Sequence, residues 1–371
     1  MIIEIKGVGC HNKGAEMMML TIKEQLSNDN IIFTVPANSN CPYTCYSKYG
    51  FYPKIWFKYK KIDFGKIANL IPKRIRHIYG FIVDKEVDII LDASGFAYSS
   101  QWGLFPTQEM AQNTAYWKKK GKKIILLPQA FGPFNDARIK HYMKRIIDNT
   151  DLIFARDIES YKTLKEIKDD NKIKLYPDFT NLFKGMLPDY WSGDLEIAIV
   201  PNMRMKDKRE DLNKYEMLFK EIIEYFQKSG NKPFFLIFGG KEDQILASNI
   251  NNLLNQAIPV ISEENPYYIK GIISKSKGVV GSRFHSLASA LSSNVVAIGT
   301  GWSHKYQYLF KDYEFEEGLI DMGMDFEEIQ KRLDLIINQD SKVINKIAIK
   351  NIILFKKSEK MFTLLKKELG L

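Results

Sequence analysis

The segment Gly281-Ser282-Arg283-Phe284-His285-Ser286-Leu287 holds the residues best suited to chemistry in this chain. It joins a short apolar run, Gly278–Val280, to a helical pattern, so it falls at the carboxyl end of a predicted strand and at a helix N-terminus. Such a terminus offers unpaired N–H groups and partial positive charge to an anion, and Ser282 is placed to cap it. Arg283 can fork onto a phosphate or carboxylate, and His285 can exchange a proton near neutral pH. A capped helix with an exposed arginine and a half-buried histidine is the plainer reading. Two other strand ends add cations. The loop Gly299-Thr300-Gly301-Trp302-Ser303-His304-Lys305 has glycines that permit close backbone approach, with Gly301 and Lys305 facing the same end. Pro201-Asn202-Met203-Arg204 follows Val200 and puts Arg204 on the equivalent rim. Each cation alone reads as surface charge; together Arg204, Arg283 and Lys305 make what a polyanion requires.

The first half of the chain offers weaker signals. Gly7, Gly9 and Gly14 do not make the G-x-G-x-x-G spacing of a dinucleotide loop, and no well-placed acid follows for a ribose, so nicotinamide binding is not expected. His11, Asn12 and Glu16 in that loop can still grip polar ligand atoms. Further strand-end loops are Asp92-Ala93-Ser94-Gly95, followed by Gln101 and Trp102, and Gln129-Ala130-Phe131-Gly132-Pro133. Trp102 can stack on a sugar or simply cover the sheet. Arg156-Asp157-Ile158-Glu159-Ser160 reads equally well as a helix cap, with Asp157 accepting from the Ser160 N–H.

The elements that must carry these loops alternate β-branched runs with helical patterns, which argues for an α/β class with parallel sheets covered on both faces. Strands are expected near Ile2–Ile5, Ile31–Val35, Val87–Leu91, Lys123–Leu127, Leu152–Phe154 and Ile173–Leu175. Helices are expected near Gly14–Leu26, Thr107–Lys119, Ala137–Asn149 and Ile158–Ile167. After an aperiodic stretch from Pro177 to Asp194, a second series runs through strands at Leu195–Val200, Pro233–Phe238, Ile258–Ile261, Gly278–Val280 and Val295–Ile298. In its first helix Leu212, Tyr215, Phe219, Ile222 and Phe226 line one buried face. Beyond Met324 the pattern is helical, broken once near Asp340. A chain of 371 residues exceeds one ordinary core. We therefore expect two doubly wound Rossmann-like domains, 1–185 and 186–345, facing a cleft, with residues 346–371 as a helix packing back on the first.

With 45% hydrophobic and 26% charged residues the chain is a folded protein, far from disordered compositions. No apolar run reaches membrane-spanning length and the start lacks a cleavage site, so a cytoplasmic protein is expected. The formal charge of +10 favours anionic partners. The least mixed stretch, Lys54 to Arg76, carries Lys54, Lys58, Lys60, Lys61, Lys66, Lys73, Arg74 and Arg76 among Trp56, Phe57, Tyr59 and Phe64. It can rest on anionic lipid, as a peripheral membrane contact, or be a solvated face with its aromatics turned inward. No nucleic-acid signature accompanies the charge. Three cysteines, Cys10, Cys41 and Cys45, leave one over in any pairing and complete no zinc site, so reduced thiols and no structural metal are expected.

Taken in order, these motifs resemble the polysaccharide pyruvyl transferase family from Gly7 to Lys305. The family's Asn-x-Gly-Asp-Glu appears as Asn12, Gly14 and Glu16, with Ala15 in place of the aspartate. Its Gln-x-x-Gly-Pro is Gln129, Gly132 and Pro133; its Arg-Asp-x-x-Ser is Arg156, Asp157 and Ser160; its following aspartate is Asp178. Its Arg-x-His is Arg283 and His285, and its late lysine is Lys305. The glycine-rich loop is altered to Asp92-Ala93-Ser94-Gly95. The resemblance implies a GT-B-like fold, phosphoenolpyruvate as donor, and a sugar or lipid-linked oligosaccharide with two nearby hydroxyls as acceptor. The product would be a cyclic pyruvate ketal and phosphate.

On that reading Arg204, Ser282, Arg283, Gly301 and Lys305 bind the donor and His285 with Arg283 performs the chemistry. His11, Asn12, Glu16, Asp92, Ser94, Trp102 and Gln129 line the acceptor side. No cofactor and no metal is called for. The rival readings are a GT-B glycosyltransferase using a nucleotide sugar and a non-catalytic glycan-binding relative.

Overall fold

The computed structural model describes residues 1–36, 41–55, 58–59, 62–205, 212–301 and 303–371, with only the backbone for 58–59, 62–64 and 66. Trp56, Phe57, Lys60 and Lys61 of the basic stretch, the side chains of Lys58, Tyr59, Phe64 and Lys66, and Trp302 lie outside the described residues. Contacts divide the chain into two compact units. The first is Met1–His11, Met18–Phe179 and Met361–Leu371; the second is Asn12–Met17 and Thr180–Lys360.

The first unit is built on a seven-stranded sheet. Its strands are β1 (Ile2–Lys6), β2 (Ile32–Pro36), β3 (Tyr52–Lys54), β4 (Ile89–Asp92), β5 (Lys123–Gln129), β6 (Leu152–Ala155) and β7 (Ile173–Leu175). They run in the order β3-β2-β1-β4-β5-β6-β7, and every pair is parallel. Runs such as Ile89–Asp92 and Leu152–Ala155 are buried throughout, as expected for strands covered on both faces. Helices α1 (Lys13–Leu26), whose start through Met17 belongs to the second unit, α2 (Phe105–Lys119), α3 (Ala137–Asn149) and α4 (Ile158–Ile167) alternate with them. The Asp157 carboxylate accepts from the Ser160 N–H at 2.7 Å and starts α4, as the sequence suggested.

The second unit carries a six-stranded parallel sheet. Strands β8 (Ile197–Val200), β9 (Pro233–Leu236), β10 (Val260–Ile261), β11 (Gly278–Gly281), β12 (Val296–Thr300) and β13 (Leu319–Ile320) are ordered β10-β9-β8-β11-β12-β13. Its helices are α5 (Leu212–Lys228), α6 (Lys241–Leu253), α7 (Pro266–Lys275), α8 (Phe284–Leu291), α9 (His304–Asp312), α10 (Phe326–Ile337) and α11 (Ser341–Leu369), the last of which passes into the first unit at Met361. On α5, Tyr215, Phe219, Ile222 and Phe226 are buried, as their spacing predicted, while Leu212 is half-buried. Between α10 and α11, the Asp340 carboxylate accepts from the N–H groups of Lys342 and Val343 and caps the last helix.

Two expectations change. Cys10 and Cys45 form a disulfide and only Cys41 is free, so the chain does not hold three reduced thiols. Folding brings residues 35 apart to a Cα separation of 6.3 Å, within disulfide range, which an odd count of cysteines cannot reveal. The ends of the basic stretch are also not solvated charges. Lys54 is buried, 2.5 Å from Glu4 and 3.1 Å from Asp84, and Arg76 is buried against Glu86. Burial pushes the Lys54 ammonium down, but Glu4 and Asp84 outweigh it and hold the group above its ordinary range. Edge strands β3 and β13 and helices α6, α7 and α9 are not among the elements expected from the sequence. β3 is only three residues long and contains a proline, too short to show a period.

Candidate active site

In the second unit the strand order reverses between β8 and β11, and ligands of open α/β sheets bind outside the strand ends at such a reversal. Ser282 ties the loops there together. It is fully buried, and its hydroxyl lies 2.8 Å from the Tyr215 hydroxyl and 2.6 Å from Thr300 Oγ1. Its N–H donates to the Val200 carbonyl, while its own carbonyl accepts from Asn202 Nδ2 and the Tyr306 hydroxyl, both at 2.9 Å. Burial pushes the Tyr215 phenol up, so it stays neutral within this network. Ser282 is therefore not a helix cap: the N-cap of α8 is Arg283, which makes no side-chain cap bond. The three strand ends β8, β11 and β12 are instead joined beneath the surface by Ser282.

Arg283 is held in a fork. Its Nε donates to Asp243 Oδ2 at 2.7 Å and its Nη2 to Asp243 Oδ1 at 2.5 Å. Asp243 is fully buried in the first turn of α6 and also accepts from the Met203 N–H at 3.1 Å. Gly239 makes room for the pair, since a Cβ there would overlap both side chains. A guanidinium has five N–H groups, so after two are committed three remain to meet an anion. The carboxylate fixes the plane of the guanidinium, so an anion meeting it would find the side chain already ordered.

His285, in the first turn of α8, is half-buried and packs edge-on against Phe284 at 5.2 Å between ring centroids. Gly14 lies against it, where a Cβ would overlap the imidazole. Four residues further along α8, the Ser289 hydroxyl contacts Met17 Sδ at 3.7 Å, so the first turn of α1 runs along one face of α8. Asn12 caps α1 by accepting from the Gly14 N–H at 3.1 Å. Glu16 is buried, 2.9 Å from Lys13, whose ammonium also donates to the Glu264 carbonyl at 2.7 Å. Lys305 Nζ sits 5.5 Å from the Phe284 ring centroid and 5.2 Å from that of Tyr306. Gly301 packs on Tyr306, and Arg204 is exposed.

The first unit has its own reversal, between β1 and β4, and the residues singled out there cluster around one carboxylate. Asp92 is buried and accepts from Ser94 Oγ at 2.6 Å, Gln129 Nε2 at 2.9 Å and the Tyr98 hydroxyl at 3.0 Å. Burial holds its carboxyl above the usual range, with the hydrogen bonds from Gln129 and Ser94 pulling partly back. Gly7 has φ +74° and abuts Ser94, so the first glycine of the loop serves close packing rather than a pyrophosphate. Trp102 is half-buried, edge-on to Phe96 at 5.8 Å, and His11 is exposed.

The remaining motifs brace this end of β5. Ser160 Oγ accepts from the Phe131 N–H at 2.8 Å, the Arg156 N–H donates to the Gln129 carbonyl, and Arg156 pairs with Asp178 at 3.1 Å. Sequence alone assigns no site role to Asp243, Tyr98, Tyr215 or Thr300. None stands in a motif with its partner; Asp243 and Arg283 are 40 residues apart.

Comparison with known proteins decides the family. The family model described as polysaccharide pyruvyl transferase matches residues 12–304. The chain belongs to this family. As a member it is a transferase of polysaccharide synthesis, with a sugar or polysaccharide acceptor. No curated protein matches it. Among solved structures it is similar to the UDP-GlcNAc 2-epimerase from Neisseria meningitidis bound to UDP-GlcNAc, with TM-score 0.62, 10% identity and 99% of each chain covered. The UDP-GlcNAc 2-epimerase from Methanocaldococcus jannaschii gives TM-score 0.57 at 12% identity over 99% of each chain. A spinosyn rhamnosyltransferase gives 0.54 at 9% over 100% of each. At these identities the likeness is one of fold, GT-B-like with two parallel-sheet α/β domains. Among the described residues no helix is long and apolar enough to cross a membrane.

Proposed function

We propose that this pyruvyl transferase family member takes phosphoenolpyruvate as donor and builds a cyclic pyruvate ketal on two hydroxyls of a sugar in a surface polysaccharide or its lipid-linked precursor. The methylene carbon of the donor gains a proton, both sugar oxygens bond to the neighbouring carbon, and the bridging phosphate oxygen leaves with phosphate. The two hydroxyl protons account for the new methyl hydrogen and for the proton on the released phosphate.

In this reading Arg283, held planar by Asp243, forks onto the donor's carboxylate or phosphate, and Lys305, Arg204 and the N-terminus of α8 share the remaining charge. His285 moves the proton. Ser282 and Gly301 act by positioning, since one is buried in the strand-end network and the other packs on Tyr306. Asp92, Ser94, Gln129, Trp102, His11, Asn12 and Glu16 are assigned to the acceptor side. No metal and no resident cofactor has a role, and the site of action is the cytoplasm. The carrying observation is Arg283, preorganised by Asp243 at the sheet reversal.

The test is incubation with phosphoenolpyruvate and a panel of galactose, glucose and N-acetylmannosamine glycans. A glycan gaining one pyruvate ketal, with one phosphate released per ketal, is expected. Thermal stabilisation by uridine diphosphate but not by phosphoenolpyruvate would overturn the reading in favour of a nucleotide-sugar donor.

A further inference from the structure

Within residues 70–81 of the first unit, Leu70, Ile71, Ile75, Ile78, Tyr79 and Phe81 are all exposed, Leu70 at 82% and Ile78 at 74%. Exposed apolar side chains are ordinary when scattered, but six within twelve residues form a patch that calls for an occupant. A buried arginine holds this segment in shape. Arg76 Nε donates to the Ile71 carbonyl at 3.0 Å and its Nη2 to Glu86 Oε1 at 3.1 Å, so the one inward residue of the helix Lys73–Ile78 anchors it while its neighbours point outward. The Tyr79 and Phe81 rings stack with centroids 6.2 Å apart. Lys73 and Arg74 are exposed at the same place, and no aspartate or glutamate occurs between Asp63 and Asp84.

We infer that this face docks on an anionic phospholipid bilayer. Apolar side chains next to cations, with aromatics between and no acid among them, match the boundary where acyl chains meet negative headgroups. A second copy fits poorly, because a two-fold contact through this face sets Lys73 and Arg74 against themselves. The inference does not depend on the reaction proposed above.

The experiment is flotation of the full chain with vesicles of phosphatidylglycerol and phosphatidylcholine, against vesicles of phosphatidylcholine alone. Binding to the first and much weaker binding to the second is expected, with attraction falling as salt rises. The double variant Leu70→Asp/Ile78→Asp should weaken binding about 10–100-fold. Thermal unfolding checks that it folds; if it does not, Lys73→Glu/Arg74→Glu, at two exposed positions, carries the test and should weaken binding about tenfold or more. Wild-type protein that stays off anionic vesicles, or variants that bind as it does, overturn the inference. So does self-association that Ile78→Asp abolishes without any vesicle binding.

Discussion

Gly14 and His285, 271 positions apart in the chain, are packed so closely that a methyl group on the first would occupy the ring of the second. The glycine of the Asn-x-Gly motif is thus a spacer for the histidine of Arg-x-His. Gly14→Ala should destabilise by about 1–3 kcal/mol through overpacking and lower turnover by displacing the imidazole. Adding His285→Ala should return part of the lost stability, though none of the activity. A Gly14→Ala protein with wild-type unfolding midpoint and kcat would show that the contact does not constrain the ring.

Asp243 and Arg283 should behave as one unit. Removing the carboxylate leaves a largely buried cation, so Asp243→Ala should cost about 3–5 kcal/mol, while Asp243→Ala/Arg283→Ala should be less damaging than the sum of the single changes. Arg283→Lys keeps the charge but loses the fork, so we expect a raised donor KM. Denaturant unfolding of the four proteins of the cycle measures the coupling; additive losses would mean that the pair contributes nothing jointly.

Asp92 gives a pH dependence with a defined sign. Its folded-state pKa is raised by burial above the ordinary 3.8, so the native state binds the proton more tightly than the unfolded chain does. The associated stability is fully present below about 3.8 and is lost as pH rises through the native value. Relative to Asp92→Asn, wild-type protein should therefore lose stability as pH climbs from below 3.8, a trend that urea unfolding at stepped pH would follow. A constant difference across that range would contradict the raised pKa.

The disulfide can be counted chemically. Alkylation of the unfolded, unreduced protein should label Cys41 alone, and labelling after reduction should mark all three cysteines. Closing a loop between residues 35 apart should contribute about 2–4 kcal/mol, so reduction should lower the unfolding midpoint. Three labels without reduction would refute the bond.

Most strands and several helices could be read in the sequence because their causes are local. Runs such as Ile-Ile-Leu and the three- and four-residue spacing along α5 declare burial within a few positions, and Asp157 with Ser160 declares its cap in four. The same locality placed Arg204, Arg283 and Lys305 at strand ends, since each follows its strand by only a few residues. Tertiary structure decided what those side chains do. It spent two of the five donors of Arg283 on Asp243, sank Ser282 beneath the surface, set Gly14 on His285, gathered Ser94, Tyr98 and Gln129 around Asp92, and joined Cys10 to Cys45. Each of these pairings except Ser94 and Tyr98 with Asp92 links residues from separate elements. Their energies come from burial and hydrogen bonding that exist only once sheets and helices have packed, so no window of local sequence contains them.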